Sequence, residues 1–320
     1  MVDNAQLAKS KGIHRRTGKT FYYATRVLPQ RVRRQTYILY AFFRVADEVV
    51  DDEESALGPA EQREELLRIR DAALGERETD DPVLSAFDEV RAETGIADED
   101  VEEFIDAMLT DIDKTRYETY DELEAYMRGS AAAVGRMMTA IMEPDDPDAA
   151  LPHATALGEA FQLTNFIRDV REDIDDRDRV YLPQTTLAEY GVTDEQIERH
   201  EVTEGFRDAV RHELVRAEEL YHEGVAGIKY LPEDCQFAVL LASVLYADHH
   251  RLVRDREYDT LSATPGLATH RKVWLVAKTR WHWAWNKDPE AVFQRVAPLR
   301  DHAGRTVDLD PPEGESVPTQ

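Results

Sequence analysis

Residues 160–183 read AFQLTNFIRDVREDIDDRDRVYLP, a helix-forming stretch in which carboxylates alternate with apolar side chains. At about 100° per residue, Gln162, Asn165, Asp169 and Asp173 fall within about 80° of one another and form a single polar stripe. Apolar side chains flank this stripe and predict that much of the helix is buried: Phe161, Leu163, Phe166, Ile167 and Val170. A polar stripe on a buried helix must be satisfied by a binding partner.

A second stretch, residues 37–54, carries a matching stripe and reads YILYAFFRVADEVVDDEE. Tyr40, Arg44, Asp47 and Asp51 follow one another at steps of four, three and four, which places them on one helical face. The surrounding side chains are again apolar. The chain therefore contains two Asp-x-x-x-Asp helices in a buried setting, more than a hundred residues apart, which we expect to face each other across a helical bundle.

The spacing of the aspartates is weak as a signal, because Asp is common here and Asp255 and Asp259 repeat it by chance. The alternative interpretation is a pair of solvated acidic faces, but this does not explain the apolar neighbours. Mg²⁺ prefers oxygen ligands from one or two carboxylates, water and substrate phosphates. Two facing aspartate pairs thus predict Mg²⁺, or Mn²⁺ in its place, binding a diphosphate whose charge an acidic protein would otherwise repel.

The composition sets limits on the class of protein. The 320 residues carry 65 Asp and Glu against 39 Lys and Arg, a formal net charge of −26 spread along the whole chain. This excess favours adaptation to high salt and argues against nucleic acid as a partner. The single cysteine, Cys235, excludes an intramolecular disulfide, and no run of about 20 apolar residues is present. We expect a cytoplasmic protein, and peripheral contact with a membrane is compatible with this composition.

Apolar residues recur at helical spacing through nine segments, and strand-like alternation is absent. The segments are 30–52, 59–75, 82–94, 98–112, 120–142, 148–174, 202–228, 232–257 and 268–286. The sequence predicts an all-α single domain over residues 1–300, a bundle around a central apolar cavity, followed by a polar, disordered tail at 301–320. Small residues at 129–135 leave room for a ligand or for close helix packing. The Trp-rich segment 274–285 is either core or a lipid contact.

An N-terminal segment, 14–30, combines polar and aromatic side chains before Pro29. It is either an arm packed on the bundle or a flap over the site. In the flap interpretation, Lys19 and Thr20 touch phosphate and Phe21 lies beside them.

These stretches together resemble the squalene/phytoene synthases, a family of head-to-head prenyl transferases, across about residues 10–290. The acidic composition suits a haloarchaeal-type member making phytoene. The matching motifs are Lys19-Thr20-Phe21, YAFFRVADEVVDD at 40–52, YMRGSAAAVG at 126–135, QLTNFIRDVRED at 162–173 and RVYLPQ at 179–184.

The resemblance implies a terpenoid-synthase fold and specific residue roles. Asp47, Asp51, Asp169 and Asp173 would ligate Mg²⁺. Substrate or diphosphate contacts would come from Tyr40, Arg44, Thr20, Phe21, Lys19, Gln162, Asn165, Arg168, Arg179, Tyr181 and, in the looser match REYDTLS at 256–262, Tyr258.

The implied reaction joins two geranylgeranyl diphosphates through a cyclopropylcarbinyl diphosphate to give phytoene, without NADPH. The first aspartate block resembles phytoene synthases more than squalene synthases. A squalene or dehydrosqualene synthase acting on farnesyl diphosphate remains the alternative, and a non-catalytic acidic helical scaffold is a third possibility. Ala132 and Arg171 stand where the family usually has Gly, which leaves the pocket depth and the local loop geometry open.

Overall fold

The helices appear where the periodicity predicts them. A computed structural model of the chain describes residues 25–51, 57–297 and 299. The helices of this part, numbered here in chain order, are α1 Gln30–Asp51, α2 Pro59–Ala73, α3 Pro82–Thr94, α4 Asp98–Thr110, α5 Tyr120–Met127, α6 Ala133–Met142, α7 Pro147–Arg168, α8 Val170–Arg177, α9 Gln184–Glu189, α10 Asp194–Glu198, α11 Glu204–Ala226, α12 Glu233–Asp255, α13 Thr269–Trp285 and α14 Pro289–Val296.

Local sequence signals explain several of these boundaries. The Asp81 carboxylate accepts a hydrogen bond from the Val83 amide at the start of α3, with proline as the first helical residue. Gly95 ends the same helix in the left-handed region at φ 69°, which glycine adopts without strain. Thr203 caps α11 in the same way as Asp81, by accepting from the Phe206 amide at 3.1 Å. These capping residues therefore mark where the helices begin and end.

Helix α7 lies at the centre of the bundle. It packs against α11, α6 and α12, and against a π-helical turn at Arg128–Ala132. The all-α prediction is confirmed: the described residues contain no β-strand, and only an isolated bridge joins Arg116 to Val180. Within the same residues, no helix has the length and apolar character needed to cross a bilayer.

Two predicted helices are interrupted. The segment 120–142 contains the π-helical turn, and the segment 148–174 breaks at Asp169, whose φ of −99° and ψ of 14° leave the helical region. Asp169 and Asp173 would be like charges four residues apart in a continuous helix, an arrangement that costs stability. The helix breaks at Asp169 itself, yet the Asp173 amide still donates to the Asp169 carbonyl at 2.8 Å, so the two aspartates stay one turn apart. Helices α9, α10 and α14 are additions that the periodicity did not indicate.

Some predictions fall outside the described residues. The proposed flap, with Lys19, Thr20 and Phe21, lies there, as does the tail 301–320. The boundaries of the domain at residues 1 and 300 therefore stay predictions.

Close backbone contact between α7 and the π-helical turn gives a first testable prediction. A Cβ on Gly158 would lie 2.6 Å from the Ala131 carbonyl oxygen, so Gly158→Ala must push the two helices apart. Alanine gains about 1 kcal/mol in helix propensity, whereas overpacking against backbone costs up to about 3 kcal/mol, so we expect a net loss of up to about 2 kcal/mol in the free energy of unfolding. Urea denaturation measures it. Gly266→Ala is the control, since nothing lies within 4 Å of its Cβ, and equal losses in both variants would contradict the packing argument.

Candidate active site

A cavity of about 760 Å³ lies inside the bundle. Helix α1 contributes Tyr40 and Asp47 to its wall, and helix α7 contributes Gln162, Asn165 and Arg168, so the two polar stripes share one space. The remaining lining side chains are mostly apolar or small and include Phe43, Val134, Met138, Leu157, Phe161 and Val239. The cavity is thus a mainly apolar chamber with a polar wall supplied by both motifs.

The α1 stripe is held by the apolar side of its own helix. Phe42 is fully buried and stacks on Phe87 of α3, with the ring centroids 3.9 Å apart. This packing leaves the opposite face of α1 for the polar residues. On that face Arg44 Nη1 donates to Asp47 Oδ2 at 3.2 Å. Asp47 is therefore positioned by a neighbouring arginine and faces the cavity.

The second motif is distributed over α7 and α8. Gln162, Asn165 and Arg168 lie on α7, and Arg168 Nε donates to Asp169 Oδ1 at 2.6 Å at the break between the helices. Asp173 lies on α8 and is buried. The break changes the predicted single stripe into two parts, with the first aspartate held by an arginine on its N-terminal side.

A single guanidinium joins the two motifs. Arg177 Nη2 lies 3.3 Å from Asp51 Oδ2, and Arg177 Nη1 lies 3.5 Å from Asp173 Oδ1. Arg179 Nη1 approaches Asp51 Oδ1 at 3.7 Å. The ends of the two Asp-x-x-x-Asp motifs are therefore close enough to share one cationic group. The sequence predicted that the two helices face each other, but it did not predict this shared arginine.

Burial and mutual repulsion favour the protonated form of these carboxyls. Burial raises the pKa of Asp47 to about 7; Arg44 lowers it, while nearby Asp51 and Asp111 raise it further. Burial, followed by the Asp169 charge, raises the pKa of Asp173 to about 7 against the lowering effect of Arg177. The protein has thus placed negative charges together without enough positive charge of its own to compensate them.

Asp111 is a site residue that the sequence reasoning missed. Tyr126 Oη donates to Asp111 Oδ2 at 2.8 Å, and burial raises the pKa of Asp111 to about 6. Asp111 Oδ1 is buried with no hydrogen-bond partner among the described residues, and Arg179 Nη1 lies 4.0 Å away. It follows α4 in the sequence LTDIDK, which carries no repeated spacing that could have indicated a site.

Arg179 and Tyr181 lie beside the aspartates as a rigid pair. Arg179 Nη2 donates to the Asp111 carbonyl at 2.6 Å and Nη1 donates to Tyr181 Oη at 3.4 Å. The Tyr181 ring stacks on Phe166, with a centroid separation of 3.9 Å and an interplanar angle of 12°. These contacts fix both side chains before any ligand arrives.

His249 was also missed, although it lines the cavity from α12. Its Nδ1 donates to the Tyr246 carbonyl at 3.0 Å, which leaves Nε2 without the proton. Burial, followed by the Arg168 charge, lowers the pKa of His249 to about 4. The imidazole is therefore neutral at physiological pH. Its place in the ordinary apolar pattern of α12 gave no sequence signal.

Tyr258, a predicted contact residue, and Arg171, which stands in place of the family's usual glycine, both lie apart from the cavity wall. The Tyr258 ring packs under the Arg211 guanidinium, 4.7 Å from ring centroid to carbon, and Tyr258 is not a lining residue. Arg171 donates to the Ser262 carbonyl at 2.6 Å. Arg171 therefore connects α8 to the segment after α12, and the contact of Tyr258 with substrate stays a prediction.

The small residues at 129–135 serve both purposes that the sequence left open. Ser130, Ala131 and Gly135 line the cavity. Gly129 and Gly135 also permit close packing, since a Cβ would lie 2.1 Å from the Glu103 carbonyl oxygen and 2.5 Å from the Ala154 carbonyl oxygen, respectively. The same segment therefore makes room for a ligand and lets α4 and α7 each pack closely against it.

The carboxylates of the site suit a hydrated divalent cation. In the described part of the chain, no three His, Cys, Asp or Glu side chains form a preassembled metal cluster. Mg²⁺ does not need one, because it keeps several waters and takes one or two carboxylates plus substrate phosphates. Asp111 Oδ1 accepts no hydrogen bond from any described residue, and the pKa values of Asp47 and Asp173 are raised, which indicates carboxylates that the nearby arginines compensate only in part. This chemistry fits a hydrated cation that arrives with a polyanion.

The fold and this site define a class of helical enzyme with paired aspartates on facing helices. Residues 14–279 match the family model described as Squalene/phytoene synthase, and the chain belongs to that family. The phytoene synthase of Rhodobacter capsulatus is 33% identical over 284 residues, which cover 87% of this chain and 82% of that protein. The 15-cis-phytoene synthase of Enterobacter agglomerans is 30% identical and covers 91% of this chain and 97% of its own.

Solved structures agree in fold. A dehydrosqualene synthase in complex with a ligand superposes with a TM-score of 0.78 at 27% identity, covering 88% of this chain and 98% of that one. A squalene synthase from Alicyclobacillus acidocaldarius gives a TM-score of 0.72 at 25% identity, over 80% and 95% of the two chains. These results confirm the predicted family and its helical fold.

Proposed function

We propose that this protein is a phytoene synthase that joins two geranylgeranyl diphosphates head to head. Family membership and phytoene synthase relatives at about 30% identity over most of the chain support this reaction. The observation that carries the proposal is the Arg177 bridge between Asp51 and Asp173, because it brings the two aspartate motifs to one site beside a large apolar cavity.

The polar wall is the diphosphate end of the site. Asp47, Asp51, Asp169 and Asp173 would hold Mg²⁺, or Mn²⁺ in its place. When bound, such an ion supplies Lewis-acid stabilisation of the leaving diphosphate oxygens. The raised pKa values of Asp47 and Asp173 mean that these carboxyls release protons as they become ligands.

Cationic side chains complete that end of the site. Arg44 and Arg168 each pair with the first aspartate of a motif, and Arg177 connects the second aspartates. Such guanidiniums can stabilise the negative charge that develops on a departing diphosphate. Arg179 orients Tyr181, whose hydroxyl is a further donor. We propose that these groups bind and orient diphosphate and retain it after it leaves.

The apolar part of the cavity protects the carbocation. Water would quench an allylic cation, so the reacting carbons must lie in a dry space. Phe161 and Tyr246 stack with their centroids 4.5 Å apart, and both line the cavity. Aromatic faces attract positive charge by about 0.5–2 kcal/mol. We propose that this pair stabilises the cation while the surrounding aliphatic side chains exclude water.

The reaction balances without a reductant. Loss of the first diphosphate produces a cation that the double bond of the second substrate attacks, and loss of a proton closes a cyclopropylcarbinyl diphosphate. Loss of the second diphosphate, rearrangement and loss of a second proton give phytoene. A squalene synthase differs in the last step, where hydride from NADPH replaces the proton loss.

A product assay tests the proposed function. Purified protein with Mg²⁺ and geranylgeranyl diphosphate, without NADPH, is expected to release two diphosphates per phytoene, identified by mass spectrometry. Farnesyl diphosphate should give at most about a tenth of that rate, because one missing isoprene unit leaves part of the apolar cavity unfilled. If only farnesyl diphosphate were turned over without NADPH, the protein would be a dehydrosqualene synthase. If a product formed only with NADPH, it would be a squalene synthase.

A further inference from the structure

Helix α13 and the two residues after it differ in charge from the rest of the chain. The full sequence contains 65 acidic residues in 320, yet the stretch 269–287, THRKVWLVAKTRWHWAWNK, contains none. It carries five cationic residues instead: Arg271, Lys272, Lys278, Arg280 and Lys287. On an acidic protein, this is a local cationic segment of nineteen residues.

All four tryptophans of the chain lie on the same helix. Trp274, Trp281 and Trp285 expose 46%, 65% and 79% of their surface, and Val273 beside them exposes 63%. Large apolar side chains this exposed occur together nowhere else in the described residues. At about 100° per residue, these four positions and Ala277 fall on one face of α13.

The opposite face attaches α13 to the bundle. Leu275, Thr279 and Trp283 are buried, and Trp283 contacts Phe237 of α12, with ring centroids 6.1 Å apart. The helix packs on α12 and α14 through this side. The exposed tryptophans are therefore not needed for the core and are presented outward by a well-anchored helix.

Cations surround the aromatic face. The Arg271 guanidinium, which also pairs with the buried Asp248 of α12 at 2.6 Å, lies 4.3 Å from the Trp274 ring centroid, and Lys278 Nζ lies 5.0 Å from it. Tryptophan prefers the boundary between hydrocarbon and water, and an anionic lipid surface attracts each nearby Lys or Arg by about 1 kcal/mol. A helix with both features and no acid has the composition of an interfacial membrane contact.

We propose that the exposed face of α13, defined by Val273, Trp274, Ala277, Trp281 and Trp285, docks the protein on an anionic lipid surface. The total charge of −26 does not prevent this, because a lipid field falls off within about 10 Å at 0.1 M salt and acts mainly on the contacting helix. Two copies of this cationic face would repel each other, which disfavours a homodimer through it. The docking goes beyond the proposed catalysis and does not depend on it.

Vesicle binding tests the proposal on the full-length protein. Because all tryptophans lie on α13, intrinsic tryptophan fluorescence reports on this helix.

We expect the emission to shift to the blue when vesicles of phosphatidylglycerol are added, and the protein to sediment with these vesicles. Binding to phosphatidylcholine vesicles should be weaker. The double variant Trp281→Ala/Trp285→Ala should weaken sedimentation with phosphatidylglycerol at least about tenfold, as expected for two lost apolar anchors. Arg280→Gln/Lys287→Gln should weaken it severalfold and reduce the preference for anionic lipid.

Matched controls separate this surface from general properties of the protein. Tyr230→Ala removes an aromatic side chain of 38% exposure away from α13, and Arg199→Gln removes a cation of 62% exposure; both should bind vesicles like the wild type. Asp169→Asn should also bind normally, so that loss of catalysis and loss of docking are distinguishable. The proposal is overturned if the protein binds neither kind of vesicle, or if the tryptophan variant binds vesicles as well as the wild type does. It is also overturned if the wild type is a dimer that does not bind vesicles and the tryptophan variant is a monomer.

Discussion

Replacing Asp47 or Asp169 by asparagine is expected to lower the turnover of geranylgeranyl diphosphate at least about a thousandfold, a loss of about 4 kcal/mol of transition-state stabilisation. Each substitution removes one proposed metal ligand and keeps the size of the side chain. Asp47 also loses an unfavourable charge, because burial raises its pKa to about 7. Phytoene formation under saturating Mg²⁺ measures the effect, and circular dichroism verifies that the helices persist.

The chain provides its own control for this experiment. Asp255 belongs to a third Asp-x-x-x-Asp pair with Asp259, but its side chain is 59% exposed and pairs with Arg251 at 2.6 Å. Asp255→Asn should retain turnover within about twofold, since an exposed ion pair contributes little. Full activity of Asp169→Asn would support the non-catalytic acidic scaffold and refute the metal role, whereas loss in all three variants would point to surface charge.

The same carboxylates should make the metal-free protein less stable as the pH rises. Without Mg²⁺, we expect the stability advantage of the double variant Asp47→Asn/Asp173→Asn over the wild type to grow by about 5 kcal/mol in free energy of unfolding between pH 5 and pH 8. The reason is that burial raises the pKa of both carboxyls to about 7 from the ordinary value of 3.8.

Proton linkage explains why the folded state loses stability as the pH rises. Below pH 3.8 both states are protonated and these groups contribute nothing. Between 3.8 and about 7 the unfolded chain ionises while the folded protein keeps its protons, so the folded state loses stability with each step in pH. Above about 7 the loss is complete. Mg²⁺ binds the ionised form and should recover much of the lost stability at pH 8, but little at pH 5.

Chemical denaturation at pH 5 and pH 8, with and without Mg²⁺, measures this effect. Asp255→Asn should follow the wild type at both pH values, because its carboxylate is exposed. If the free energy of unfolding depended on pH in the same way for the wild type and the double variant, these two aspartates would not be the groups that destabilise the metal-free protein. A stabilising effect of Mg²⁺ on the double variant equal to that on the wild type would exclude this role for them as well.

Much of the fold followed from apolar periodicity and turn residues. The predicted segment 30–52 is observed as Gln30–Asp51, and the segment 82–94 as Pro82–Thr94. Such helices have apolar stripes that agree with proline and capping signals at their ends, so local and global preferences coincide. The two aspartate stripes were also visible, because a polar row inside an apolar helix is a local pattern.

Features that depend on tertiary contact were not visible. The break at Asp169 and the π-helical turn at Arg128–Ala132 arise where helices meet, and nothing in the local spacing marks them. Asp111 joins the site from a separate part of the chain, and Arg177, although it follows Asp173 by four residues, matters because it reaches Asp51 on α1. A sequence pattern identifies the face of one helix, whereas these residues are defined by what another helix brings to them.

The most direct test of the account is the location of the divalent ions. A crystal grown with Mn²⁺ and a non-ionisable analogue of geranylgeranyl diphosphate should show anomalous peaks between the aspartates of α1 and those at the α7–α8 break. The peaks should lie within about 2.3 Å of carboxylate and diphosphate oxygens, since such hard cations take oxygen ligands at this range. Diphosphate bound in the cavity by arginines alone, with Mn²⁺ elsewhere and Asp47, Asp51, Asp169 and Asp173 not ligating it, would contradict the central claim.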